Sequence, residues 1–245
     1  LRLVAGRKYR FVVFADFVKD GAATTWTAVE KLWNAGLNHK IGATLKDIEV
    51  INEAINNESA DAYFAGKLIR PTHQSTNEDK IELHRPYAKV RVVATDLHEL
   101  NNNVEPKAVK VTYNAFNPNT FNAVTGEYAG TYAVKDFSRK YAESDVYGAG
   151  YDAETITTVN GDVRNTHKTL FTDYILAGDQ QTTISFDMTV FEDEACTTPI
   201  KTTSFNTNIP IQRNHLTTII GDVLTTGVDI NVTIDDSFDN GIEWN

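Results

Sequence analysis

A chain of 245 residues, 41% hydrophobic and 23% charged, has the composition of a folded globular protein and can bury a core without staples. Its formal net charge of −10 speaks against the clustered lysine and arginine that a nucleic-acid partner needs. The single cysteine, Cys196, excludes an intrachain disulfide, and no apolar run has the length of a transmembrane helix or a signal-peptide core, so the sequence reads as a processed form or a fragment.

With 12 Phe, 10 Tyr and many Val, Ile and Thr, the chain favours sheet over helix. Leu1 to Val4 and Lys8 to Phe17 read as two strands around a turn. In the second, Tyr9, Phe11, Val13, Ala15 and Phe17 share one face while Val12 and Phe14 make the other apolar, which predicts burial on both sides. Trp26 and Trp33 are candidate anchors in an irregular stretch. From Thr44 to residue 57 the pattern fits helix and strand equally: Leu45, Ile48 and Ile55 have helical spacing, yet Ile48 and Val50 alternate with Glu49. His84-Arg85-Pro86 punctuates the chain and sets the expected division into 1–87 and 88–245.

Beyond it, Val90, Val92 and Ala94 alternate, then Val109, Val111 and Tyr113, each against polar neighbours. Residues 120–167, rich in Tyr, Gly, Asn and Asp, read as long surface loops with a turn at Asn160-Gly161. Loops often carry binding function, and Tyr141, Tyr147 and Tyr151 are candidate platforms for a glycan or host ligand. Lys168 to Ala177 recovers strand character. Ile184, Phe186, Met188 and Val190 form the cleanest alternation, Glu192 to Pro199 a turn, and Ile200 to Ile209 the return strand. Leu216 to Thr225 and Val228 to Ile234 read as two closing strands broken near Gly227, the second alternating Val228, Ile230, Val232 and Ile234 with polar residues. Short strands joined by turn residues, without a βαβ rhythm, predict an all-β chain of two tandem β-sandwich domains.

No chemistry-bearing motif survives inspection. Gly148-Ala149-Gly150-Tyr151-Asp152-Ala153 matches a dinucleotide fingerprint in letters but lacks the flanking strand and helix. Asp235, Ser237 and Asp239 have calcium-loop spacing, with Asn240 where glycine belongs. The six histidines are scattered, without zinc-ligand spacing. No catalytic residue, metal or cofactor is expected, and the chain reads as a non-enzyme.

Five short segments, in order, resemble the fimbrillin-like surface proteins of Gram-negative gut anaerobes. These are Arg7 to Asp16 (RKYRFVVFAD), Asp61 to Gly66 (DAYFAG), His84 to Val90 (HRPYAKV), Asp173 to Leu176 (DYIL) and Ile209 to Gly221 (IPIQRNHLTTIIG). The resemblance implies two transthyretin-like, Greek-key sandwiches in tandem, made as a lipoprotein precursor, secreted to the cell outer membrane and built into an adhesive fimbrium (pilus). Subunits of that kind lose an N-terminal strand to a protease and accept a neighbour's strand in the groove left behind. Family members usually carry several strands ahead of the Tyr9-to-Val13 segment, so an incomplete first sheet is expected. The implied partners are other fimbrial subunits, joined by β-strand addition, and surface glycans or proteins. The donor is either Val228 to Ile234 or the tail carrying Phe238, Ile242 and Trp244, with the tail preferred because it lacks an obvious home. A monomeric surface binder using the 120–167 loops is the competing expectation.

Overall fold

The structure, a computed structural model, describes residues 4, 7–15, 39–41, 44–50, 64–71, 83–101, 104–114, 118–129, 135–140, 156–227 and 229–236. In chain order its strands are β1 (Lys8–Ala15), β2 (His39–Ile41), β3 (Ile48–Val50), β4 (Phe64–Pro71), β5 (Tyr87–Ala94), β6 (Ala108–Tyr113), β7 (Thr120–Asn122) and β8 (Glu127–Ala129). They continue as β9 (Lys135–Lys140), β10 (Ile156–Val159), β11 (Asp162–Asn165), β12 (Lys168–Leu176), β13 (Thr182–Phe191), β14 (Pro199–Ile211), β15 (Leu216–Gly221) and β16 (Asn231–Asp235). A single 3-10 turn, Leu97–Glu99, follows β5, and the described residues form no α-helix. The all-β expectation holds.

Two four-stranded sheets build the main core, one ordered β12-β5-β15-β16 and the other β14-β13-β6-β9. Alternation explains why. On β13 the side chains Ile184, Phe186, Met188 and Val190 are all buried, and on β6 Val109, Val111 and Tyr113 are buried while Lys110 is exposed. Their inward faces meet Val90 and Val92 of β5 and Leu170, Phe171 and Ile175 of β12 in one cluster. Register places Tyr113, Phe186 and Phe205 side by side across β6, β13 and β14. Phe186 meets Phe205 at 4.7 Å between ring centroids and reaches across to Phe171 at 5.5 Å, edge to face. Across the same core, the Tyr113 hydroxyl donates to Asp173 Oδ2 at 2.8 Å. That polar group, sealed between two sheets, pins one register.

Long-range pairing departs from what local pattern suggests. β15 runs parallel to β5 and antiparallel to β16, so the central pair of that sheet joins segments more than 120 residues apart. β14 continues through Pro210, which its place at a sheet edge permits, since a proline there need not donate to a neighbour. Thr217 Oγ1 donates to the Pro210 carbonyl, bracing the turn into β15.

A smaller sheet, β2-β3-β7-β8, joins residues 39–50 to the hairpin 120–129. Around it, Ile48, Tyr87, Phe121, Ala123, Tyr174 and Leu176 form a second buried cluster. The ambiguous segment after Thr44 begins as a turn, in which Asp47 N donates to the Thr44 carbonyl, and continues as strand β3; residues 51–57 lie outside the described set. The expected division at 87/88 is crossed here, because Ile48 and Glu49 pair with Phe121 and Thr120 from beyond it. Arg213 staples this hairpin to the sandwich. Its guanidinium donates to the Ala177 and Gly126 carbonyls, pairs with Asp179 at 3.1 Å and lies over the Phe121 ring.

The described parts of 120–167 correct the reading of that stretch as loops. They comprise the hairpin β7–β8, the strand β9 and the hairpin β10–β11. In the last, Asn160 and Gly161 both have positive φ, 52° and 91°, the geometry of a two-residue turn that suits Asn-Gly.

Candidate assembly edges

β1 is an eight-residue strand rich in aromatics whose partner, among the described residues, is β4 alone, in full antiparallel register from Lys8↔Pro71 to Ala15↔Phe64. The expectation that β1 is buried on both faces is not met. None of its described side chains is fully buried, and Val13 is 36% exposed. Val12 and Phe14 pack against the second cluster, so the core-facing side is the one the sequence pattern ranked second. Tyr9, Phe11 and Val13 occupy the other face, where Tyr9 also accepts a hydrogen bond from the Val4 amide at 3.0 Å. The physical reason is the sheet: alternation on both faces is buried only where strands flank it and layers cover it.

At the other end of the chain, β16 pairs with β15 from Leu216↔Asp235 to Ile220↔Asn231 and forms the outer strand of its sheet among the described residues. Val232 and Ile234 are half-buried and Asn231, Thr233 and Asp235 exposed; Ile230 and Val232 touch the main core. The chain reaches this position by passing directly over Gly221. A Cβ there would lie 2.6 Å from the Asp229 carbonyl oxygen and 2.7 Å from Ile230 Cα, so only glycine fits. Gly227 and Asp229, with φ of 72° and 58°, make the break expected near Gly227.

The turn leading into β16 is pinned from both sheets. Asp96, fully buried just after β5, accepts from the Leu224 amide at 3.0 Å, the Thr225 amide at 2.7 Å and Thr225 Oγ1 at 2.8 Å. Burial pushes the Asp96 carboxyl up from its ordinary range, and the hydrogen bonds from Thr225 and Leu224 pull part of the way back. From β14, Lys201 Nζ donates to the Thr225 carbonyl at 2.7 Å and Thr203 Oγ1 to the Val223 carbonyl at 2.9 Å. β16 therefore starts from a fixed point although its own apolar side chains are only half covered. Nothing local in the sequence marks Asp96 or Asp173 as buried acceptors; a carboxylate next to a strong strand was the only available hint.

Of the residues singled out from sequence, Ile230, Val232 and Ile234 come together on β16 as a strand of the chain's own sheet. Val228, Phe238, Ile242, Trp244, Tyr141, Tyr147 and Tyr151 lie outside the described residues, as do Trp26, Trp33, the 148–153 motif and the calcium-like positions 237 and 239. The acidic turn after β13 is held by its own backbone: Asp193 accepts from the Thr197 and Thr198 amides at 3.1 and 2.6 Å. Desolvation opposes this, yet those hydrogen bonds win and keep the Asp193 carboxyl below its ordinary range. Among the described residues no three His, Cys, Asp or Glu side chains are placed to hold a metal, and no helix is long and apolar enough to cross a membrane.

A family model described as a family of unknown function (DUF6562) matches residues 1–245. No curated protein matches the chain. Among solved structures, a candidate cell adhesion protein from Bacteroides ovatus is 12% identical, with 96% of this chain and 70% of that one aligned at a TM-score of 0.47. A candidate adhesin from Bacteroides thetaiotaomicron is 11% identical over 96% of this chain and 78% of its own, at a TM-score of 0.48. A fimbrial assembly protein from Parabacteroides distasonis is 14% identical over 71% of this chain and 55% of its own, at 0.34. Likeness at this level does not carry function from one protein to another.

Proposed function

The chain belongs to DUF6562, a family of unknown function, and we propose that it is a structural, non-catalytic subunit of an adhesive cell-surface fimbrium. In this reading it is made as a lipoprotein precursor, reaches the outer membrane and joins its neighbours by strand addition after proteolytic maturation. The observation that carries the reading is β1. A long apolar strand, paired on one side among the described residues and half-exposed at Val13, is the kind of edge that a donated strand completes. The five ordered segments that resemble fimbrillin-like proteins support the same conclusion. The proposed donor is the tail bearing Phe238, Ile242 and Trp244, because β16 already has a place beside β15. Three apolar side chains seated in a neighbour would contribute on the order of 5 to 9 kcal/mol, at roughly 1.5 to 3 each, before main-chain pairing is added.

The test is to express the full precursor, treat it with a trypsin-like protease and run it unboiled on a denaturing gel. A ladder that disappears on deletion of residues 236–245 is the expected result. A ladder that survives the deletion moves the donor elsewhere in the chain. Absence of any ladder overturns the subunit reading and leaves a monomeric surface binder.

A further inference from the structure

At one end of the sandwich a pocket of about 480 Å³ opens between the segment after β5 and the β11–β12 corner. Its size falls within the range of small-molecule sites. Leu97, Leu100, Val104 and Pro106 supply an aliphatic floor, and Val163, 72% exposed, stands at the wall. The Leu97 amide donates to the Thr166 carbonyl at 3.0 Å, tying floor to wall, so the cavity is framed by backbone.

The polar lining is of mixed sign. Arg164 and Lys168 face it together with Asp162 and Glu105, and Asn101 and Asn165 add two carboxamides. His98 also lines it, and its Nδ1 is buried without a hydrogen-bond partner among the described residues. Such an atom is costly to leave unmet, and a ring turned toward a polar guest would satisfy it.

This lining discriminates among ligand classes. An anion would be drawn to Arg164 and Lys168 but opposed by the two carboxylates, and a cation meets the converse. A wholly apolar guest would strip water from the charged rim without replacing its hydrogen bonds. A ring of hydroxyl groups satisfies both sets, since each hydroxyl donates and accepts, and its C–H face suits the aliphatic floor. We propose that this pocket binds an uncharged saccharide of one or two rings. The site lies apart from Tyr141, Tyr147 and Tyr151, and it does not depend on the chain being a fimbrial subunit.

Saturation-transfer NMR on the full chain tests it, with the methyl glycosides of glucose, galactose, mannose and N-acetylglucosamine as probes. N-acetylneuraminic acid and choline serve as the charged comparisons. The expected result is saturation transfer to at least one neutral glycoside, with affinity falling tenfold or more in the double variant Glu105→Ala/Asp162→Ala. Both positions are exposed, so the fold should survive; an unchanged thermal unfolding curve verifies that. No transfer to any neutral glycoside, transfer only to a charged probe, or transfer undiminished in the folded double variant would each overturn the proposal.

Discussion

β13 and β1 carry similar apolar content and end up in different environments. On β13, Phe186, Met188 and Val190 are completely buried, whereas β1 leaves Val13 36% exposed and its other described side chains short of burial. β13 has β14 on one side, β6 on the other and an opposing sheet in front; among the described residues β1 has β4 alone. Alternation proposes a buried face, and neighbours decide whether it is obtained. A strand like β13 defines the fold, while a strand like β1 retains capacity for another partner.

The sharpest way to break the comparison is at its buried pole. Phe186→Ala removes the ring that joins Tyr113, Phe205 and Phe171, and should cost about 3 to 5 kcal/mol, read as a lower urea midpoint with unchanged slope. The equivalent change at the half-exposed pole, Val13→Ala, should cost under about 1 kcal/mol in the same titration.

Next in size is the polar tie across the core. Tyr113→Phe takes a donor from the buried Asp173 carboxylate and should cost about 1 to 3 kcal/mol. Burial, reinforced by the Asp173 charge and hydrogen bond, raises the Tyr113 hydroxyl well above its ordinary 10.0. Its contribution is therefore complete below pH 10.0, the unfolded value, and declines as pH rises toward the folded value. Alkaline unfolding curves of Tyr113→Phe should lack that part of the decline, so its stability deficit narrows as pH increases above 10.

A smaller, local effect belongs to Gly221. An added methyl would strike the Asp229 carbonyl and Ile230 backbone, so Gly221→Ala should cost about 1 to 3 kcal/mol, concentrated in the β15–β16 pairing. Hydrogen exchange should quicken at 231–235 far more than at 184–190. Equal acceleration in both would mean that β16 is integral to the core rather than an outer strand.

The same contrast explains what was legible in the sequence. The strands of the main core were readable at Val109 to Tyr113 and Ile184 to Val190 because period-2 burial is a local property. Partnerships were not, since the parallel pairing of Leu216–Gly221 with β5 and the pairing of Ile48 with Phe121 join segments distant in the chain. Asn160-Gly161 announced its turn through the residues that positive φ demands. The hairpin β7–β8 gave less warning: its turn is fixed by Asn122 Oδ1, which accepts from the Val124 and Thr125 amides, and by the distant Arg213. Asp96 was invisible because its role is set by Leu224 and Thr225, more than 120 residues away.

The central claim, that β1 is an acceptor edge, is tested most directly by comparing hydrogen exchange in the protease-matured monomer and in the assembled polymer, residue by residue. The account predicts that amides in 8–15 gain strong protection on assembly while those in 184–190 are unchanged. Unaltered exchange at 8–15 in a polymer that demonstrably forms, with protection appearing instead along 231–235 or elsewhere, would contradict it.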